Sequence, residues 1–340
     1  MARGGFAAPL AGRWLFAARG KPRGEPAAQK QIMKPVLGQQ LPEFARTIRL
    51  EHSLFALPFA LGTAMLADPP YPAPAAIALL VACMVAARTA AMGFNRVADA
   101  ALDARNPRTR DRAIPAGRLG RGTALALALA SAAAFVAGAW GFWFLRGNLW
   151  PGLLAPAFLA VLFGYSYTKR FTVLTHWVLG LCLGLGPVGA WIALRGSLAL
   201  VPALIGAAVV VWTAGFDIFY SFQDIEVDRR EGLHSVPARV GRDAARRWAA
   251  ASHAATVALL APVAIMDPSG TPFSRLGLGS LLALAGIATT LALEHLRARR
   301  QSDIEIAGAF FPLNAFVSIM WLVGVFVDVV MGLQVRVHLN

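Results

Sequence analysis

The chain has 340 residues, 57% hydrophobic and 15% charged, with a formal net charge of +14. A soluble domain carries about 25% charged residues, so the deficit excludes a purely aqueous fold and points to a bilayer. The Lys and Arg surplus lies between hydrophobic runs and in no recognition motif, which excludes nucleic acid as the partner.

Residues 1–42 are rich in Ala, Gly, Arg, Lys and Pro, hold one acid, Glu25, and lack an apolar run followed by a secretory cleavage site. They read as a basic, flexible cytoplasmic extension to one transmembrane domain over 43–340. A mitochondrial transit peptide is the weaker reading, and Met33 offers a second start.

Apolar runs follow at 50–68, 73–94, 121–144, 150–167, 172–194, 200–222, 244–266, 276–296 and 312–334. Most approach the roughly 20 residues that cross a hydrocarbon core as helix, the first and fourth being short. The fold expected is all-α and polytopic, with nine transmembrane helices. Pro58, Pro156, Pro187 and Pro202 fall inside these runs, as membrane helices tolerate. Cys83 and Cys182 lie in apolar runs and read as packing residues.

Arginine and lysine crowd the loops after the second, fourth, sixth and eighth runs, whereas the alternate side holds only Arg146, Arg195, Arg275 and Arg336. That asymmetry predicts a cytoplasmic N-terminus and an opposite C-terminus; the membrane expected is a bacterial inner (plasma) membrane, ahead of a mitochondrial inner one.

Two acidic segments end up on the cytoplasmic face. Asn95, Asp99 and Asp103 recur every four residues after the second run, in a helix predicted to continue until Asn106-Pro107. Asp217, Asp224 and Asp228, seven and four apart, follow the sixth run, with Gly232 as a helix stop. Both spacings are near whole helical turns, so each set shares roughly one face. Either pattern alone is common at a solvated helix end. Together, at one membrane boundary beside basic loops, they suit a divalent cation and a phosphorylated ligand. Asp103 and Asp228 are the members expected to face solvent or pair with arginine.

Further polar residues gather at the same boundary. Arg88, seven residues before Asn95, should point inward to an aspartate, a phosphate or a substrate carboxylate. Tyr165, Tyr167, Lys169 and Arg170 close the fourth run, as cavity lining and diphosphate contacts or as an interfacial belt. Arg108, Arg110, Arg112 and Arg118 form either a lid or a topology signal. His52, His176 and His234 have no zinc spacing, and His234 is the best placed of the three for diphosphate. A secondary transporter of an anionic substrate competes with an enzyme here. The acids lie toward one face rather than at mid-depth, and no inverted repeat accompanies them, which favours the enzyme.

With NRVADAALDARNPRTRDRAIPAG, YSYTKR and DIFYSFQDIEVDRREGLHSVPARVG, residues 46–334 resemble the UbiA superfamily of intramembrane aromatic prenyltransferases, in its 4-hydroxybenzoate polyprenyltransferase branch. The resemblance implies nine helices around a central cavity that holds Mg2+ and a polyprenyl diphosphate, with the tail among membrane lipid and no obligate protein partner. It assigns metal binding to Asn95, Asp99, Asp103, Asp217, Asp224 and Asp228, and catalysis to Asp99, Asp217 and Asp224. Substrate binding falls to Arg88, Asn95, Tyr165, Tyr167, Lys169, Arg170 and His234. The implied reaction joins the polyprenyl group to a hydroxylated aromatic acid in quinone biosynthesis, with 4-hydroxybenzoate as the leading acceptor. Arg96 stands where the common motif has aspartate, and His234 where lysine is frequent. With EHSLFALPFA at 51–60, these resemble a bacterial subgroup linked to 1,4-dihydroxy-6-naphthoate and menaquinone.

Overall fold

The computed structural model describes residues 37–265, 276–300, 303–331 and 334–335, so residues 1–36, including the Met33 start, lie outside the described residues. From Leu37 the chain is already helical. Helix α1 (Leu37–Ile48) buries Gln40, Phe44 and Ile48, a spacing of four that forms one apolar-facing stripe. Phe44 and Ile48 join a cluster with Val97, Leu119 and Ala124, seating α1 beside the first acidic segment.

The first span departs from its expected form. Arg49 adopts a left-handed conformation (φ 46°), residues Leu50–Leu54 make a 3-10 turn, and only α2 (Leu57–Ala67) is α-helical, opening on Pro58. The two pieces, Gly38–Leu54 and Leu57–Ala67, meet at a 50° bend. Among the described residues eight helices are individually long and apolar enough to cross a membrane, and the bent pair makes a ninth.

Helix α3 (Pro74–Arg105) starts on a proline, whose missing N–H costs nothing in the first turn. Its 32 residues measure about 48 Å, well beyond the ~30 Å of hydrocarbon, so its last turns carry Asn95, Asp99 and Asp103 to the boundary. It stops where predicted, because Asn106 precedes Pro107 and is extended (ψ 118°). Next come α4 (Arg121–Arg146), α5 (Trp150–Thr168), α6 (Thr175–Arg195) and α7 (Leu200–Tyr220).

Beyond α7 the straight helix expected through Asp228 is interrupted. Ser221–Asp224 forms a 3-10 turn before α8 (Ile225–Arg230), and Gly232 (φ 69°) then reverses the chain. A 3-10 turn advances about 120° per residue instead of about 100°, so the seven-residue spacing does not set Asp217, Asp224 and Asp228 on one straight face. The short α9 (Val236–Val240) leads to α10 (Arg242–Ile265), α11 (Leu278–Ala298) and α12 (Asp303–Val330). Leu276–Gly277 and Gln334–Val335 pair as a two-residue antiparallel bridge.

Neighbours in sequence pack as neighbours in space, with α2 set between α6 and α12. Glycine permits the tightest crossing. A Cβ at Gly180 or Gly184 of α6 would run into the backbone carbonyl of Val210 or Gly206 on α7, so these backbones touch as small-residue membrane interfaces do. Phe59, Trp212, Phe216 and Trp321 form the aromatic centre of the core, with Trp212 and Phe216 edge-on at 5.0 Å. At the end away from the acidic segments, buried Asp328 of α12 accepts the Gly279 and Ser280 N–H groups at 2.6 and 2.7 Å. It caps the start of α11 from a distant helix.

Candidate active site

The C-terminal ends of α3, α5 and α7 and the start of α6 surround a polar cleft of about 780 Å3. All six expected metal-site residues, Asn95, Asp99, Asp103, Asp217, Asp224 and Asp228, border it. Two segments more than a hundred residues apart thus meet across one space.

Each acid of the first segment has a cation from elsewhere. Asp99, 4% exposed, accepts Lys169 Nζ at 2.7 Å and lies 3.5 Å from Arg170, while Asn95 Nδ2 donates to Asp99 at 3.2 Å and reaches Ser166 Oγ at 3.4 Å. Asp103 accepts the single Arg112 Nη1 through both carboxylate oxygens, at 2.8 and 3.0 Å. It is salt-bridged, as expected of an outer acid, but buried rather than facing solvent.

The second segment is held from two other directions. Asp224 accepts Arg108 Nε and Asn106 Nδ2, both at 3.0 Å, which folds the α3–α4 connection over the cleft. Burial works against the Arg108 charge, but the Asp224 hydrogen bonds and charge outweigh it and hold the guanidinium above its ordinary pKa. Asp217 meets His176 Nδ1 at 2.7 Å, a partner to which the sequence reading gave no role. Glu43 of α1 accepts a hydrogen bond from Arg118 Nε at 3.1 Å.

The substrate-binding set divides. Arg88, Asn95 and Tyr165 line the cleft and also a second, apolar cavity of about 190 Å3 between α3, α4, α5 and α6. That channel reaches from Asn95 back to Leu80 on α3, about 20 Å along the axis, past Cys83 and Cys182, which are free thiols. Arg88 donates to the Arg49 carbonyl at 3.3 Å, and its Nε is buried without a partner. Lys169 lines the cleft; Arg170 does not, donating to the Ala98 carbonyl at 2.8 Å.

Two expected residues turn away. Tyr167 is 41% exposed, borders neither cavity, and stacks beneath Arg170 at 5.0 Å, because two residues of helix rotate it about 200° from Tyr165. His234 contributes backbone only, its N–H donating to the Lys169 carbonyl at 2.7 Å, and its side chain lies outside the cleft lining. Arg108, Arg112 and Arg118 of the expected lid border the cleft, and Arg96, His176 and Tyr220 are cleft residues that received no site role from sequence. Arg96 and Tyr220 were findable from their place on the α3 and α7 ends, whereas nothing in spacing links His176 to Asp217.

The donor set is oxygen throughout, which suits Mg2+. Among the described residues no three His, Cys, Asp or Glu side chains converge on one ion. The fit is to an ion held by one or two carboxylates and completed by phosphate oxygens and water.

Comparison with known proteins agrees with this architecture. The model of the UbiA prenyltransferase family matches residues 56–320. A 4-hydroxybenzoate octaprenyltransferase of Azotobacter vinelandii is 32% identical over 253 residues, 74% of this chain and 80% of that protein. A UbiA homolog from Aeropyrum pernix K1, solved in apo form, is 34% identical with a TM-score of 0.71, covering 82% of this chain and 98% of that one. The fold is shared with a UbiA homolog from Archaeoglobus fulgidus bound to GPP and Mg2+, at 19% identity and a TM-score of 0.59 over 83% of this chain and 99% of that one. The paired acidic helix ends therefore sit in the fold they were read into, and the chain belongs to the UbiA prenyltransferase family.

Proposed function

We propose that the chain transfers a polyprenyl group from an isoprenyl diphosphate to the ring of a hydroxylated aromatic acid, 4-hydroxybenzoate first, in quinone biosynthesis. One observation carries the reading: a polar cleft bordered by both acidic segments joins an apolar channel at Arg88, Asn95 and Tyr165. That is the shape of a ligand with a charged head and a hydrocarbon tail. By charge asymmetry the cleft faces the cytoplasm of a bacterium.

Asn95 with Asp99, and Asp217 with Asp224, would each offer Mg2+ one or two carboxylates, and the ion when bound offsets phosphate charge and stabilises departing pyrophosphate. Lys169 and Arg108, now paired with Asp99 and Asp224, are the cations placed to turn toward the diphosphate. The allylic C–O bond breaks, a ring carbon of the acceptor forms the new C–C bond, and loss of the ring proton restores aromaticity. The apolar channel keeps water from the allylic carbon. Arg88, whose Nε lacks a partner at the junction, would bind the acceptor carboxylate.

The test is product formation by purified protein in lipid with Mg2+ and a polyprenyl diphosphate, supplying 4-hydroxybenzoate and 1,4-dihydroxy-6-naphthoate separately. A prenylated 4-hydroxybenzoate is the expected mass. Product with only the naphthoate would move the chain to the menaquinone branch, and no Mg2+-dependent product with either would overturn the reading. Arg88→Gln should raise the KM for acceptor about tenfold or more while leaving that for donor unchanged, since a charge-assisted hydrogen bond contributes about 1.5–3 kcal/mol.

A further inference from the structure

His176 lies at the start of α6, 2% exposed, between Asp217 and the loop that joins α8 to α9. Its two ring nitrogens have different partners. The Val236 backbone N–H donates to Nε2 at 3.2 Å, and a backbone N–H can only donate, so Nε2 carries the lone pair. Nδ1 must then bear the proton and donate it to Asp217 Oδ2 at 2.7 Å. The geometry thereby fixes a neutral imidazole in one tautomer.

Two consequences follow for the cleft. Asp99 and Asp224 are each met by a cation, Lys169 and Arg108, whereas Asp217 is met by an uncharged donor that leaves its negative charge uncancelled. One Asp217 oxygen is occupied by His176, so the other is the one offered to the cleft. The same imidazole also grips a loop already tied to the second acidic segment and to the end of α5. Leu233 N–H donates to the Asp228 carbonyl at 2.8 Å and His234 N–H to the Lys169 carbonyl at 2.7 Å.

We propose that His176 is a positioning residue with two separable roles: through Nδ1 it orients Asp217 for a divalent cation, and through Nε2 and the Val236 N–H it seats the 231–236 loop. The cation half rests on the functional reading above; the loop half does not.

Two substitutions separate the roles. Asn places an amide N–H near the position of Nδ1 and cannot reach Val236, while Gln places a carbonyl near Nε2 and gives up the bond to Asp217. The readouts are the Mg2+ concentration for half-maximal thermal stabilisation of the full chain with inorganic pyrophosphate, and hydrogen–deuterium exchange over residues 233–240. His176→Gln should raise the Mg2+ requirement about 10–100-fold, as loss of an outer-shell partner does, with loop exchange unchanged. His176→Asn should keep the Mg2+ requirement within about threefold while the Val236 amide exchanges about tenfold faster, the loss of one hydrogen bond of about 1.4 kcal/mol. Equal melting of both variants without Mg2+ checks that each folds. If both variants shift the same readout together, or neither shifts either, the division of roles between the two ring nitrogens is overturned. If the unsubstituted protein shows no Mg2+ effect and no prenyl transfer, the functional reading and the cation half fall together, and loop exchange alone decides the clamp.

Discussion

Buried and half-buried carboxylates occur at both ends of this bundle, and they are satisfied in opposite ways. At the far end Asp328 accepts two backbone N–H groups of α11, partners that cannot leave without unwinding the helix. At the cleft end Asp99, Asp217 and Asp224 accept side chains, Lys169, His176 and Arg108, on the walls of an open space. A carboxylate held by backbone is committed to the fold. Under the proposed function, one held by a lysine or arginine beside a cavity exchanges that cation for another ligand, and partner type then separates structural acids from functional ones.

Structural acids at the cleft would behave as Asp328 does. Asp99→Asn with Asp217→Asn should lower prenyl transfer about a thousandfold or more, since a preorganised electrostatic contact contributes about 2.7–4 kcal/mol, while melting stays close to that of the parent. A protein that unfolds instead would place these acids with Asp328. The next effect is expected in the apolar channel. Gly186 lines it, and a Cβ there meets only Met84 and Ala56 at ordinary contact distances of 3.4 and 4.0 Å. Gly186→Leu should therefore fold, and should cost long donors about tenfold in kcat/KM while sparing short ones. Equal loss for every donor length would remove the channel from tail binding.

Smaller effects sharpen the boundary of the site. Tyr165→Phe should reduce transfer about threefold to tenfold, the loss of one neutral hydrogen bond, and Tyr167→Phe should leave it unchanged, because only Tyr165 borders the cavities. Comparable losses would place both rings at the reaction. The least effect on rate is expected from Asp328→Ala. It strands two buried N–H groups, at about 1–3 kcal/mol each, so the melting temperature should fall while kcat of the remaining folded protein is retained.

Much of this was legible before folding. Apolar run lengths and the Arg and Lys asymmetry needed only the bilayer thickness and the cost of burying charge, so span number and the shared sidedness of the acids followed from sequence. Pro74 and Asn106-Pro107 act locally on the backbone, and the ends of α3 fell where they required. The bend before α2 escaped because it depends on Arg49 entering the left-handed region while α1 packs its Phe44 and Ile48 against α3, a tertiary demand hidden in the apolar count.

The site divides along the same line. Periodicity put Asn95, Asp99 and Asp103 near one helix face, and tertiary structure added what periodicity cannot carry: the pairing of Asp99, Asp103 and Asp224 with Lys169, Arg112 and Arg108. It also supplied the 3-10 turn that breaks the second set, the exclusion of Tyr167 and the His234 side chain from the cleft, and the His176 contact to Asp217. Sequence by itself determined which residues lie at the membrane boundary, because water, hydrocarbon and helix geometry act on each segment separately. Which of them meet was decided only by folding, because those distances run between helices and depend on crossings such as that of Gly180 and Gly184 against α7.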